Sequence, residues 1–189
     1  MNILLSPHND DETLFASYTI IKEKPLVVVV FDGHLQARRG HDDITPTRRR
    51  LETHDALKCL GHTNSVNFLG LRDDALVTVD DIVFRLRSCI DLNSIERVYA
   101  PVHDADGHAQ HNLVAQAGAI LSPDVASYCT YTRGGGKQRS DNEVIPESGD
   151  WIRRKHNALA CYESQYTMAP PSIGCWPWFM EDMREYRVL

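Results

Sequence analysis

Short apolar runs alternate along the chain with longer stretches in which apolar positions recur every three or four residues. Residues 2–6 are a brief apolar run with the length of a buried strand. Residues 10–23 follow, with Leu14, Phe15, Tyr18 and Ile21 at helical spacing. Residues 25–31 are continuously apolar and mostly β-branched after the opening proline. That predicts a central parallel strand, because strands covered on both faces do not alternate. Thr45 and Pro46 open the next helix as N-cap and first-turn residue. Leu51, Ala56, Leu57 and Leu60 continue it, and Gly61 stops it. Further strands are expected at 65–69, 97–101 and 125–131, with Pro101 ending the pairing of the second. Further helices are expected over 80–92, where Ile82, Val83, Leu86 and Ile90 share a face, and over 112–121 and 151–163. The polar stretches 32–45, 104–111 and 132–150 read as loops. The last contains Gly134, Gly135 and Gly136 and is expected to be mobile.

Strands alternating with helices predict an α/β architecture: a Rossmann-like three-layer fold with a mostly parallel sheet. A length of 189 residues predicts a single domain over 1–189. In such sheets ligands bind outside the carboxyl ends of the strands, so the loops that follow strands are where chemistry is expected. Twenty basic against 26 acidic side chains leave a net charge of −6, which argues against coating nucleic acid or an anionic membrane. The cysteines number five, an odd count, and include no Cys-x-x-Cys pair. A reduced, cytoplasmic protein is the simpler expectation. The N-terminus has no basic start or long apolar stretch, and no run reaches the ~18–20 apolar residues of a membrane span. No membrane anchor is therefore expected.

Two polar clusters follow predicted strands. His8, Asn9, Asp10, Asp11 and Glu12 come directly after the first strand; Asp104, Asp106, His108 and His111 come after the strand ending at Pro101. Imidazoles and carboxylates suit zinc, and a catalytic zinc takes three protein ligands and keeps a position open. His8, Asp11 and His111 would supply such a set, leaving Asp10 to take a proton from water. A plainer reading exists for each cluster alone. Asp10 and Asp11 open a helix, where acidic side chains favour the positive end of the dipole, and His108 and His111 could be surface residues. The two clusters together, at two strand ends and with complementary chemistry, favour a site.

The residues Ser6-Pro7-His8-Asn9-Asp10-Asp11-Glu12 resemble the His-x-Asp-Asp-Glu signature of the LmbE-like, or PIG-L, family of zinc-dependent N-acetylglucosaminyl de-N-acetylases. Asp106-Gly107-His108-Ala109-Gln110-His111 resembles that family's Asp-x-His-x-x-His signature. Arg49-x-x-Glu52, with Ala56-Leu57 and Leu60-Gly61, is similar to its Arg-x-x-Glu helix. Lys155, Ala158-Leu159 and Ser164-Gln165 are similar to its late helix ending in Ser-Gln. The four matches occur in family order between residues 3 and 165.

The resemblance implies zinc, or another divalent metal such as Fe2+, on His8, Asp11 and His111. It implies Asp10 as general base and His108 acting on the tetrahedral oxyanion. It implies Arg49 and Asp73 as substrate-binding residues, and Asp106 as an orienter of a neighbouring histidine. The implied reaction removes an N-acetyl group from an N-acetylglucosamine-type amino sugar or its conjugate. The partner is thus a small molecule, with no nucleic acid and no membrane anchor; an oligomer is compatible. The alternatives are a zinc amidohydrolase acting on a non-sugar substrate and a non-catalytic sugar-binding protein, the latter disfavoured by the retained Asp10. Departures from the family pattern are Asn9 where Pro is common, Gln110 where Asp is usual, and Asp32-Gly33-His34 in place of a Thr-x-Gly-Glu stretch. Of the remaining features, Arg48 and Arg50 read as a solvated face and His34 and His41 as surface. Trp151 reads as core, and Trp176 and Trp178 as core or interface aromatics more often than sugar-stacking ones.

Overall fold

The structure, a computed structural model, describes residues 1–34, 44–132, 137–168 and 183–188, the side chains of 166–168 excepted. The five apolar runs become parallel strands of one sheet: β1 (Asn2–Ser6), β2 (Leu26–Phe31), β3 (Val66–Leu71), β4 (Arg97–Pro101) and β5 (Val125–Tyr128), in the order β3-β2-β1-β4-β5. Two short strands, β6 (Asn142–Val144) and β7 (Glu185–Val188), extend the β5 edge in the order β5-β7-β6, both pairings antiparallel. The helices are α1 (Asp11–Glu23), α2 (Pro46–Cys59), α3 (Val79–Cys89), α4 (Ala109–Leu121), α5 (Gly149–Leu159) and α6 (Glu163–Met168).

The continuous apolar character of β1 and β2 follows from this layering. Alternate residues point to opposite faces, and both faces are covered. Leu4, Val27 and Val29 pack with Phe15, Ala56, Leu57, Leu60, Ala158 and Leu159 of α1, α2 and α5. Ile3, Leu5, Val28 and Val30 pack with Ile82, Leu86, Val114 and Ala117 of α3 and α4. Gly118 lets α4 come close to β4; a Cβ there would stand 2.8 Å from Ala100 Cβ. α1 and α4 lie on opposite faces, and they follow the neighbouring strands β1 and β4. The connections leave the sheet in opposite directions between these two strands, which opens a crevice at their carboxyl ends.

Several sequence expectations shift. Pro101 does not end pairing altogether: β1 pairs with Arg97–Tyr99, while β5 pairs through Pro101, opposite Tyr128. α4 begins at Ala109, so His111 lies in its first turn rather than in a loop. The late helix is two helices, α5 and α6. The stretch 132–150 contains β6, and β7 has no counterpart in the sequence reading. Leu51 is 60 % exposed, whereas Arg49, Glu52 and Thr53 of the same helix are buried. The inward stripe of α2 runs through 49, 52, 53, 56, 57 and 60, and its first turns are polar because they face the crevice. His41, Gly134–Gly136, Trp176 and Trp178 lie outside the described residues.

α1 is broken at Ala16 (φ −139°, ψ 19°). Tyr18 N–H and Leu14 C=O, the pair a regular helix would join, are engaged by a buried ion pair. Tyr18 N donates to Glu185 at 3.1 Å, and Lys155 Nζ donates to Leu14 O at 2.9 Å and to Glu185 Oε1 at 2.7 Å. Both charged side chains are 1 % exposed. The pair therefore fixes α1, α5 and β7 to one another. Lys155→Met strands the Glu185 carboxylate in the interior and is expected to cost about 3–5 kcal/mol, read as a lowered midpoint in urea unfolding. A loss below about 1 kcal/mol would mean that the pair behaves as a solvated one.

Candidate active site

The turn between β1 and α1 is built by Glu12. Its side chain is fully buried and reaches back: Oε2 accepts from Asp10 N at 3.1 Å and from Ser6 Oγ at 3.0 Å. Oε1 accepts from Thr13 Oγ1 at 3.0 Å and from the Tyr162 hydroxyl. Burial pushes the Glu12 carboxyl up, and these donors pull it back.

Asp10 occupies the N-cap position of α1 but its side chain caps nothing. Its backbone sits at φ 140°, a region that L residues rarely adopt and that costs of order 1–3 kcal/mol. The capping reading thus gives way for Asp10, whereas Asp11 does lie in the first turn of α1. The Asp10 carboxylate turns to Arg49 instead, whose Nη2 donates to Oδ2 at 3.1 Å and also to the Asn9 carbonyl. Burial raises Asp10 to about 7; the Arg49 guanidinium pulls it down, and the Asp11 charge pushes it up.

Asp11 points elsewhere. Its Oδ2 accepts from His8 N at 3.0 Å and lies 3.0 Å from His8 Nδ1 and 3.1 Å from His111 Nε2. Burial works against its ionisation, but His111 and His8 outweigh burial and hold it well below the usual carboxylate range. Burial likewise opposes charge on His8, yet Asp11, Gln110 and Asp10 hold its pKa above the ordinary histidine value. His111 Nδ1 is 3.1 Å from Thr130 Oγ1, a hydroxyl 3.3 Å from Gln138 Oε1. His111 Nε2 is buried and makes no hydrogen bond of good geometry, although it faces Asp11.

One donor atom from each of His8, Asp11 and His111 lies within 4.8 Å of the other two. Two imidazoles and one ionised carboxylate, with an orphaned ring nitrogen turned inward, fit a divalent cation of the zinc type. The two strand-end loops therefore converge as the sequence reading expected. His108, at the N-cap of α4, joins them, its ring centroid 5.2 Å from that of His8 and 5.1 Å from that of His111. Arg49 is 3 % exposed and lies against Asp10. Asp73 is half-buried beyond β3, and its carbonyl accepts from Gln110 Nε2 at 2.9 Å. Asp106 is exposed, its amide donating to Asp104 Oδ1 at 3.0 Å. The Asp104 carboxylate is tied into the loop, accepting also from Gln138 Nε2, and Asn112 holds the Asp104 backbone.

The supports of the site leave no signal in the sequence. Thr130, Thr53 (donating to Asn9 Oδ1 at 3.1 Å) and Tyr162 carry no motif, since each acts only through position. Tyr131, with its ring 5.0 Å from that of His111, is another such residue.

The profile of the PIG-L family, GlcNAc-PI de-N-acetylase, matches residues 3–121, and the chain belongs to this family. Both signatures and the Arg49 helix fall inside that match. Among solved structures, the chain is similar to the 4-carboxy-2-hydroxymuconate hydratase GalB from Pseudomonas putida. That likeness has TM-score 0.70 and 17 % identity, over 95 % of this chain and 82 % of that one. It is similar to the N,N'-diacetylchitobiose deacetylase from Pyrococcus horikoshii (TM-score 0.68, 19 % identity, 94 % and 74 % covered). It is also similar to a deacetylase of the teicoplanin biosynthetic pathway (TM-score 0.69, 19 % identity, 93 % and 87 % covered). No curated protein matches the chain in sequence.

Arg49→Met removes the cation that favours ionised Asp10, so the Asp10 pKa is expected to rise above about 7 in the metal-free chain. Carboxyl-selective carbon NMR across a pH titration reads it directly. An unchanged or lowered value would contradict the pairing.

Proposed function

We propose that this chain is a zinc-dependent hydrolase that removes the N-acetyl group from an N-acetylglucosamine-type amino sugar or its conjugate, in the cytoplasm. The observation that carries the reading is the division of labour between adjacent carboxylates. Asp11 lies against the two imidazoles, while Asp10, 9 % exposed and held at φ 140°, is paired with Arg49. A binding protein needs only the first of these; a hydrolase needs both.

His8, Asp11 and His111 would hold the cation, which when bound supplies Lewis acidity toward a water and the amide carbonyl. Asp10 accepts the proton that the attacking water loses. Burial makes this carboxylate a stronger base than a solvated aspartate. Arg49 keeps that carboxylate oriented and, by its charge, keeps it from rising further. His108 offers a hydrogen bond to the oxygen that gains charge as the carbonyl becomes tetrahedral. The C–N bond then breaks as the amine takes up the proton that Asp10 accepted, and acetate and the free amino sugar leave. Arg49 and Asp73 are assigned to the substrate side of the crevice, where a guanidinium and a carboxylate suit sugar hydroxyls.

A pair of isosteric variants separates the two aspartates. Asp10→Asn is expected to keep zinc at wild-type stoichiometry and lose about 10²–10⁴ in turnover on N-acetylated amino sugars. Asp11→Asn is expected to lose the metal itself. Zinc content and released acetate, measured side by side, check both. A fully active Asp10→Asn would remove Asp10 from the chemistry, and metal loss confined to Asp10→Asn would exchange the two roles.

A further inference from the structure

Gln110 stands where the family usually carries Asp, and both ends of its amide are engaged. Nε2 donates to the Asp73 carbonyl oxygen at 2.9 Å. A backbone carbonyl only accepts, so this contact orients the amide with its oxygen toward His8. Oε1 then lies 2.7 Å from His8 Nε2. An amide oxygen also only accepts, so the hydrogen between them belongs to His8 Nε2. The other ring nitrogen, Nδ1, faces Asp11 Oδ2 at 3.0 Å, an oxygen that can accept from it until a cation takes the place of that hydrogen.

We propose that Gln110 is the positioning residue that assigns the two nitrogens of His8. It keeps the proton on Nε2 and leaves Nδ1 as the nitrogen offered to a divalent cation beside Asp11 and His111. The second half of this assignment rests on the proposed metal centre; the first half does not. Gln110 does this from a fixed anchor, because Asp73 follows β3 while Gln110 opens α4 and His8 follows β1. The chain Asp73 C=O, Gln110 amide, His8 ring thus ties three strand-end segments together and sets the plane of the imidazole. Thr130 plays the matching part for His111, holding Nδ1 and leaving Nε2 turned inward. The difference from an aspartate lies in polarity. A carboxylate at 110 would accept from His8 but could not donate to Asp73, and it would place a further negative charge beside the site. The amide makes both contacts and adds no charge.

The test uses the full chain labelled with nitrogen-15 in histidine, as wild type, Gln110→Leu and Gln110→Glu, metal-free and then titrated with zinc. In the wild type, His8 Nε2 is expected to show a protonated, slowly exchanging signal in both states, with zinc altering the Nδ1 resonance. Gln110→Leu is expected to lose that protection and to bind zinc about 10–100-fold more weakly, the usual effect of removing an outer partner of a ligand histidine. Gln110→Glu, which keeps an acceptor, is expected to retain the protonated Nε2. A wild type with bare Nε2, or protection unchanged in Gln110→Leu, would overturn the proposal. So would zinc on Nε2. Protection that depends on Gln110 in a chain that takes up no zinc would sustain the proton assignment and defeat the metal centre instead.

Discussion

One carboxylate oxygen joins the two halves of the active crevice. Asp11 Oδ2 meets His8, from its own turn, and His111, from the helix that starts after β4 on the other face of the sheet. Asp11 and His111 are buried and His8 is partly so, and taking such groups out of water is unfavourable unless each finds a partner of opposite charge or a hydrogen bond. The sheet topology makes the meeting feasible, since β1 and β4 are neighbours whose following helices diverge. The rest of the crevice is arranged so that this oxygen stays where it is.

Three devices do so. Glu12 folds back under the turn and satisfies Asp10 N and Ser6, which leaves the Asp11 side chain free to face the histidines. α2 presents Arg49, Glu52 and Thr53 inward, so the charge of Asp10, beside that of Asp11, meets a guanidinium rather than apolar packing. The Lys155–Glu185 pair sits in the break of α1 and anchors that helix a turn beyond the site. Strain at Asp10 is tolerated because its backbone and side chain are both held by partners that allow no relaxed alternative.

Much of this was legible in the sequence. The strand runs 2–6 and 25–31 could be read because parallel strands buried on both faces need unbroken apolar residues, and Thr45-Pro46 because helix starts have a local chemistry. His8, Asp10, Asp11, His108 and His111 could be read because they crowd two short segments. β6 and β7 could not, being three- and four-residue strands of mixed polarity that owe their pairing to the finished β5 edge. Leu51 misled because an apolar residue on α2 suggests the buried face, whereas the crevice demands a polar one. Gln110 appeared only as a departure from a pattern; its meaning depends on Asp73, thirty-seven residues earlier in the chain and adjacent only in the fold.

The fold does not choose the reaction, for the chain is similar in structure both to a hydratase and to deacetylases. Under the proposed function, amide hydrolysis is favoured by Asp10 pairing with Arg49 beside an Asp11 that lies against the two imidazoles. The most direct measurement supplies the zinc-loaded chain with N-acetylglucosamine and its conjugates in water enriched in oxygen-18, and follows both products by mass spectrometry. Amide hydrolysis predicts acetate carrying a single oxygen-18 atom, released in equal amount with the free amino sugar. Intact substrate across the panel, or label in a product that keeps its acetyl group, would contradict it.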